Sequence, residues 1–183
     1  MRLFTGVALP EEVASNVGSL VARLKALAPI RWSLTANLHI TTKFIGAWPA
    51  QRLEELKREL GGVPRRNKIP IQIKGIGWYP VTGQPRILLT HVQAPETLKL
   101  LALETDERLA GLGVSKEKKS YQPHLTLARV KAGADLSALR RALEGLESLD
   151  LGTFEAGAFH LYLSEPAPGG SSYQKLATYP FQG

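Results

Sequence analysis

Leu38-His39-Ile40-Thr41-Thr42-Lys43-Phe44-Ile45-Gly46 decides how this chain is read once a second stretch is set beside it, Pro123-His124-Leu125-Thr126-Leu127-Ala128-Arg129-Val130. Each is an apolar, strand-like run that contains His-x-Thr. Side chains alternate faces along a strand, so His39 and Thr41 point one way, and His124 and Thr126 share a face in the same manner. Leu38, Ile40 and Phe44, and in the second run Leu125 and Leu127, are then expected to anchor the opposite face. Two such surfaces facing each other supply an acid, a base and hydroxyl donors between them. That equipment suits a phosphoester reaction run without a metal.

A single His-x-Thr is a weak signal, since one copy most simply marks a half-buried strand residue bonded to a neighbour. Two copies in the same hydrophobic phase weigh more. The chain has four histidines, and the other two act as internal controls. His91 precedes Val92-Gln93 and His160 precedes Leu161-Tyr162, without the pattern, and both are read as structural.

Composition narrows the class. The 183 residues suffice for one domain, or two small lobes sharing a core, and 44% hydrophobic with 21% charged residues is ordinary for a globular chain. The absence of cysteine excludes a disulfide framework, thiol catalysis and cysteine-ligated zinc. The apolar start from Leu3 to Leu9 is too short for an export signal and runs into Pro10-Glu11-Glu12. No apolar run approaches the ~20 residues of a membrane helix, so a cytoplasmic protein that engages no membrane is expected. The net charge of +7 favours anionic partners. Lys116, Lys118 and Lys119, and separately Arg65, Arg66 and Lys68, are the clusters expected to meet backbone phosphates.

Periodicity predicts a strand over 2–9, then a helix opened by Pro10-Glu11 that buries Val13, Val17, Leu20, Val21, Leu24 and Leu27. A strand is expected over 38–45, a short helix near 50–60 with Leu53, Leu56 and Leu60 inward, and a strand from Ile69. Gly75 and Gly77 suggest a bulge or a close backbone approach. A strand over 86–93 leads to a helix from Pro95 burying Leu98, Leu101, Leu109 and Leu112, ended by Gly111 or Gly113. The second motif occupies a strand near 124–130. Asp135 is expected to cap a helix reaching Leu146. Strands over 153–164 and 172–179, joined by a turn from Pro166 to Gly170, complete the chain. Strands and helices mix without strict alternation, which favours α+β with antiparallel sheets.

These motifs and their flanks resemble the 2H phosphoesterase superfamily, in its RNA 2′,3′-cyclic phosphodiesterase (2′–5′ RNA ligase) branch. The resemblance runs nearly end to end. It is carried by Arg2-Leu3-Phe4-Thr5-Gly6-Val7-Ala8-Leu9-Pro10, Asn37-Leu38-His39-Ile40-Thr41, Gly75-Ile76-Gly77 with Pro85-Arg86-Ile87-Leu88, and Tyr121-Gln122-Pro123-His124-Leu125-Thr126-Leu127-Ala128-Arg129. Leu161-Tyr162-Leu163-Ser164-Glu165 and Gly169-Gly170 before Tyr173 complete it. Thr42 departs from the pattern, because relatives usually carry an apolar residue there. The resemblance implies one bilobal domain over 1–183, two antiparallel sheets with flanking helices related by a pseudo-two-fold, and a cleft into which both motifs point.

It also implies a substrate: RNA ending in a 2′,3′-cyclic phosphate, or a small cyclic nucleotide. Opening the ring needs water deprotonated on one side of phosphorus and the ring oxygen protonated on the other. Two histidines do this without a cofactor or metal, because a pKa near 6.5 lets one be neutral and one charged. Thr41 and Thr126 are expected to donate to the non-bridging oxygens. Spacing does not say which histidine is acid; the resemblance implies His39 as proton donor, His124 as base on water, and a 2′-phosphate product. Reverse 2′–5′ ligation would use the same groups with roles exchanged. The resemblance also makes Arg129 the guanidinium for the phosphate. A regular strand aims Arg129 at the opposite face, so it reaches the site only through twist, a bulge or its own length; otherwise it is a surface arginine.

Phe4, Trp48 and Tyr121 are candidates to stack on a base, and core packing is the alternative for each. Two rivals remain. A metal-dependent hydrolase lacks the usual close ligand spacings. A non-catalytic RNA-end-binding module would have no need of two intact His-x-Thr pairs. A monomer is expected.

Overall fold

The computed structural model describes residues 1–168 and 170–183. In chain order the elements are β1 (Arg2–Ala8), α1 (Glu11–Leu24), β2 (Arg31–Trp32), β3 (His39–Ala47), α2 (Leu53–Gly61), β4 (Ile69–Tyr79), β5 (Ile87–Gln93), α3 (Glu96–Ala110), β6 (His124–Arg129), α4 (Ser137–Leu143), β7 (Asp150–Ala156), β8 (Ala158–Ala167) and β9 (Gly170–Pro180). The strands form the order β7-β4-β5-β6-β3-β1-β8-β9, with β2 on β6, and all these pairings are antiparallel. The class is α+β, as expected.

The order is a palindrome of two four-stranded halves, β7-β4-β5-β6 and β3-β1-β8-β9, which meet through one residue pair, Ile40 with Leu125. Each half thus presents its His-x-Thr strand at the shared seam. The halves are not the two halves of the chain. β4 and β5 come from the first half of the sequence but build the His124 side, and β8 and β9 come from the second half but build the His39 side. The helices cross over as well. α1 follows β1 yet packs on β7, where Asn16 donates to the Leu151 carbonyl at 3.1 Å; α3 follows β5 yet packs on β3.

The local reasons are legible in the residues. α1 buries Val13, Val17, Leu20, Val21 and Leu24 at the expected spacing, with Glu11 and Glu12 in its first turn. α3 buries Leu98, Leu101 and Leu109. Burying each such side chain fully contributes about 1.5–3 kcal/mol. Gly75, at φ +82°, lies where a Cβ would meet the Glu147 carbonyl at 2.4 Å, and the β4–β5 register shifts between Ile73 and Ile76. Both a close approach and a bulge occur there. Asp135 accepts a bond from the Ser137 N–H at 2.9 Å, but it stands one residue before the N-cap position, which is Leu136, and the helix stops at Leu143, before Leu146.

The strand expected over 153–164 is two strands, broken at Gly157. β7 pairs with β4 and β8 with β1, at opposite ends of the sheet, so the chain must leave one half and enter the other there. β2 was not expected at all, being too short to show periodicity. Gly169, in the expected turn, lies outside the described residues.

Candidate active site

β3 and β6 run antiparallel, and Ile40 and Leu125 both point into the core with no exposed surface. Continuing that register one residue each way sets His39 beside Thr126 and Thr41 beside His124. All four line one cleft of about 660 Å³, a size ordinary for a small-molecule site. The sequence-derived set is therefore brought together.

Both imidazoles are held by the same device. His39 Nδ1 lies 2.6 Å from the Asn37 carbonyl and His124 Nδ1 lies 3.0 Å from the Gln122 carbonyl, two residues earlier in each case. A carbonyl oxygen can only accept, so each Nδ1 carries its hydrogen and each Nε2 is the atom left for chemistry. The Thr41 hydroxyl lies 2.9 Å from His39 Nε2 and donates to it while the ring is neutral. The turn ahead of His39 lies tight against α1. A Cβ at Gly18 would sit 2.8 Å from the Thr35 hydroxyl, so glycine there allows the approach that sets Asn37.

The surroundings of the two rings differ. His39 packs against Phe4 at 4.6 Å between ring centres, edge-on against Tyr173 at 5.1 Å, and near Tyr162 at 5.9 Å. Burial pushes its pKa below the ordinary value; the bond to the Asn37 carbonyl opposes this, and the charges of Arg129 and His124 add to the lowering. No aromatic contact of this kind surrounds His124 among the described residues.

Arg129 reaches the cleft through a bulge. Leu88 pairs with Ala128 and Leu89 with Thr126, so Leu127 is an extra residue in β6. The phase flips there, and the side chain five residues beyond His124 returns to the face of His124 and Thr126. β3 does the same. Thr5 pairs with Lys43 and Gly6 with Thr41, which leaves Thr42 as the extra residue. The departure at Thr42 is accommodated there: its hydroxyl is 2.8 Å from that of Thr5, with both side chains buried.

The β3 bulge corrects one expectation. Phe44, read as a core anchor, sits on the cleft face and is 59% exposed, while Lys43 turns inward with 2% exposed. Phe44 and Arg129 thus stand at matching positions, five residues after the two histidines. The aromatic candidates also change. Phe4 lines the cleft but is buried beneath His39; Trp48 is core, with its ring N–H on the Arg52 carbonyl. Tyr121 donates its hydroxyl to the Thr41 carbonyl at 2.8 Å and ties the lead-in of the second motif to the first. Burial pushes the Tyr121 hydroxyl's pKa well above the ordinary phenol value.

Neither expected basic cluster lines the cleft. Arg66 pairs with Glu104 and donates to the Thr97 carbonyl, and Lys119 bonds the Tyr79 hydroxyl. Arg2, Arg31 and Arg129 line the cleft, and no Lys, Asp or Glu lines it among the described residues. Arg2 and Arg31 carry no local sequence signal that could have singled them out. His160 is structural: it is 9% exposed, bonded to Thr178, and pushed down to about 4 by burial and Lys175. His91 faces His124 across β5 and β6, but outside the cleft lining, against Gly77. Among the described residues no three His, Asp or Glu side chains cluster as metal ligands.

A family model described as LigT like Phosphoesterase matches residues 7–89 and 90–173, one motif in each repeat. This chain belongs to that family. It is 33% identical over 177 residues to the RNA 2′,3′-cyclic phosphodiesterase of Methanocaldococcus jannaschii, covering 96% of this chain and 98% of the relative. It is 32% identical to the protein of the same name from Thermus thermophilus, covering 100% of this chain and 91% of that one. A crystal structure of a Thermus thermophilus protein superimposes with a TM-score of 0.82 at 26% identity, covering 100% of this chain and 99% of the other. The family match agrees with the resemblance drawn from the motifs, and its two repeats accord with the palindromic sheet.

Proposed function

We propose that this chain, as one bilobal domain, hydrolyses RNA 2′,3′-cyclic phosphate ends to 2′-phosphate ends. The observation that carries this is the matched holding of His39 and His124 in one arginine-lined cleft, each with Nδ1 on a carbonyl and Nε2 left as the reactive atom, which in neutral His39 accepts only from the Thr41 hydroxyl among the described residues. His124 acts as base on water and His39 protonates the leaving 3′-oxygen. Burial makes protonated His39 a stronger acid than an ordinary imidazolium, and the phosphate's negative charge favours its protonation once substrate enters. Thr41 and Thr126 donate to the non-bridging oxygens, and Arg129 balances the charge that builds there. Run backwards, the same groups join a cyclic end to a 5′-hydroxyl as a 2′–5′ bond.

The terminal base stacks on Phe44, the exposed aromatic at the cleft rim. Every group in this scheme comes from one chain, which suits a monomer. No helix among the described residues is long and apolar enough to cross a membrane.

The test is product analysis of an RNA 2′,3′-cyclic end after treatment with purified protein. A 2′-phosphate product is expected, with activity retained in excess chelator. His39→Ala and His124→Ala should each lose several orders of magnitude. A 3′-phosphate product overturns the roles assigned to the histidines, and stoichiometric binding without turnover makes the chain an RNA-end-binding module.

A further inference from the structure

Arg31 and Arg129 stand directly opposite each other in the antiparallel pairing of β2 with β6. Directly opposed residues share a face, with Cβ atoms about 4.5–5.5 Å apart, and like charges so placed destabilise the pair. Both arginines line the cleft, neither forms an ion pair among the described residues, and no carboxylate there offsets them. An anion between them would remove the repulsion.

The segment that carries Arg31 is firmly held. Ile30 is buried, and Ser33 bonds the β6 bulge twice, by its N–H to the Leu127 carbonyl at 2.8 Å and by its hydroxyl to the Thr126 carbonyl at 2.9 Å. The two-residue β2 takes the edge of β6 that β3 leaves after the single Ile40–Leu125 pair. The charge of Arg129 acts on His39, and that of Arg31 is not among those that do. The Arg31 guanidinium extends to the facing wall, where a Cβ at Gly170 would lie 3.3 Å from Nη2.

We propose that the two guanidiniums form a clamp for two phosphates. Arg129 takes the cyclic phosphate, and Arg31 takes the next phosphate, on the 5′-oxygen of the terminal ribose. The preferred substrate is then a 5′-phosphorylated end, as in any RNA strand, over a bare nucleoside cyclic phosphate. This rests on the reaction proposed above.

The experiment compares kcat/KM for adenosine 2′,3′-cyclic monophosphate with and without a 5′-phosphate. The unaltered protein should favour the 5′-phosphorylated substrate by roughly tenfold to a hundredfold, the range of a charge-assisted hydrogen bond. Arg31→Ala should bring that ratio to within about twofold of one, and Arg31→Lys should keep an intermediate ratio, as a point charge without the fork geometry does. A ratio near one in the unaltered protein, or a ratio unchanged in Arg31→Ala, overturns the clamp. A second readout separates this from failure of the reaction itself. Competitive binding of adenosine 2′,5′-bisphosphate against adenosine 2′-monophosphate needs no turnover, and Arg31→Ala should erase the bisphosphate's advantage. Should the advantage persist in that variant, the clamp is wrong whatever the chain hydrolyses.

Discussion

Replacing Lys43 with Met removes a cation that the fold has taken out of water. Its ammonium lies 2.6 Å from an Asp106 carboxylate oxygen and 3.2 Å from Glu117, and it donates to the Ser115 carbonyl at 2.7 Å. The Asp106 side chain is only 10% exposed, and without Lys43 its one remaining partner among the described residues is the Glu117 N–H, at 3.2 Å. Breaking a buried pair this way costs about 3–5 kcal/mol, because the remaining charge is uncompensated. That is a large share of the roughly 5–15 kcal/mol that holds a domain folded. At roughly 2–4 °C per kcal/mol for a chain of this size, the unfolding midpoint should fall by about 6–20 °C.

The double variant Lys43→Met with Asp106→Leu leaves no orphan charge and should be more stable than Lys43→Met alone. Urea unfolding of the single and double variants measures both terms. A loss below about 1 kcal/mol for Lys43→Met would class the pair with exposed ion pairs and refute the reasoning. So would a double variant that loses the sum of the singles. Lys43 also anchors the 115–117 loop ahead of the second motif, so kcat should fall in Lys43→Met even under conditions where it is fully folded.

Two other outcomes follow from the same geometry. Folded-state pKa values below the ordinary 6.5 for His39 and His160 mean that the unfolded chain takes up protons first as pH falls. Stability present above about pH 6.5 should therefore be lost progressively toward about pH 4, the value to which His160 is lowered; urea midpoints across that window should show the decline, less steep in His160→Gln. Phe44→Ala should raise KM for an RNA end by about 10- to 100-fold, the range for loss of one base-aromatic stack, and affect KM more than kcat; an unaltered KM would remove Phe44 from the binding surface.

The elements were legible because apolar spacing reports burial. The α1 valines and leucines, the Ile69-Ile71-Ile73 alternation and the two motif strands all follow from one face being held in the core. The four motif residues were legible because a period of two puts His and the second-next Thr together. Phe44 and Lys43 were not, and the reason is specific. A bulge at Thr42 exchanges the two faces after that point, and the bulge exists because β1 pairs with β3 out of step, with a Thr5–Thr42 bond beneath it. Nothing local to Thr42 announces it.

By itself, then, the sequence determined the strand and helix periods and the four groups His39, Thr41, His124 and Thr126, since those depend on spacing within a few residues. Only the tertiary structure decided which strands share a half of the sheet, that Arg129 faces the cleft of the two histidines, and that Arg31 stands beside it. Those depend on cross-strand register and on which edge of β6 is left open, and both are fixed by hydrogen bonds between residues far apart in the chain.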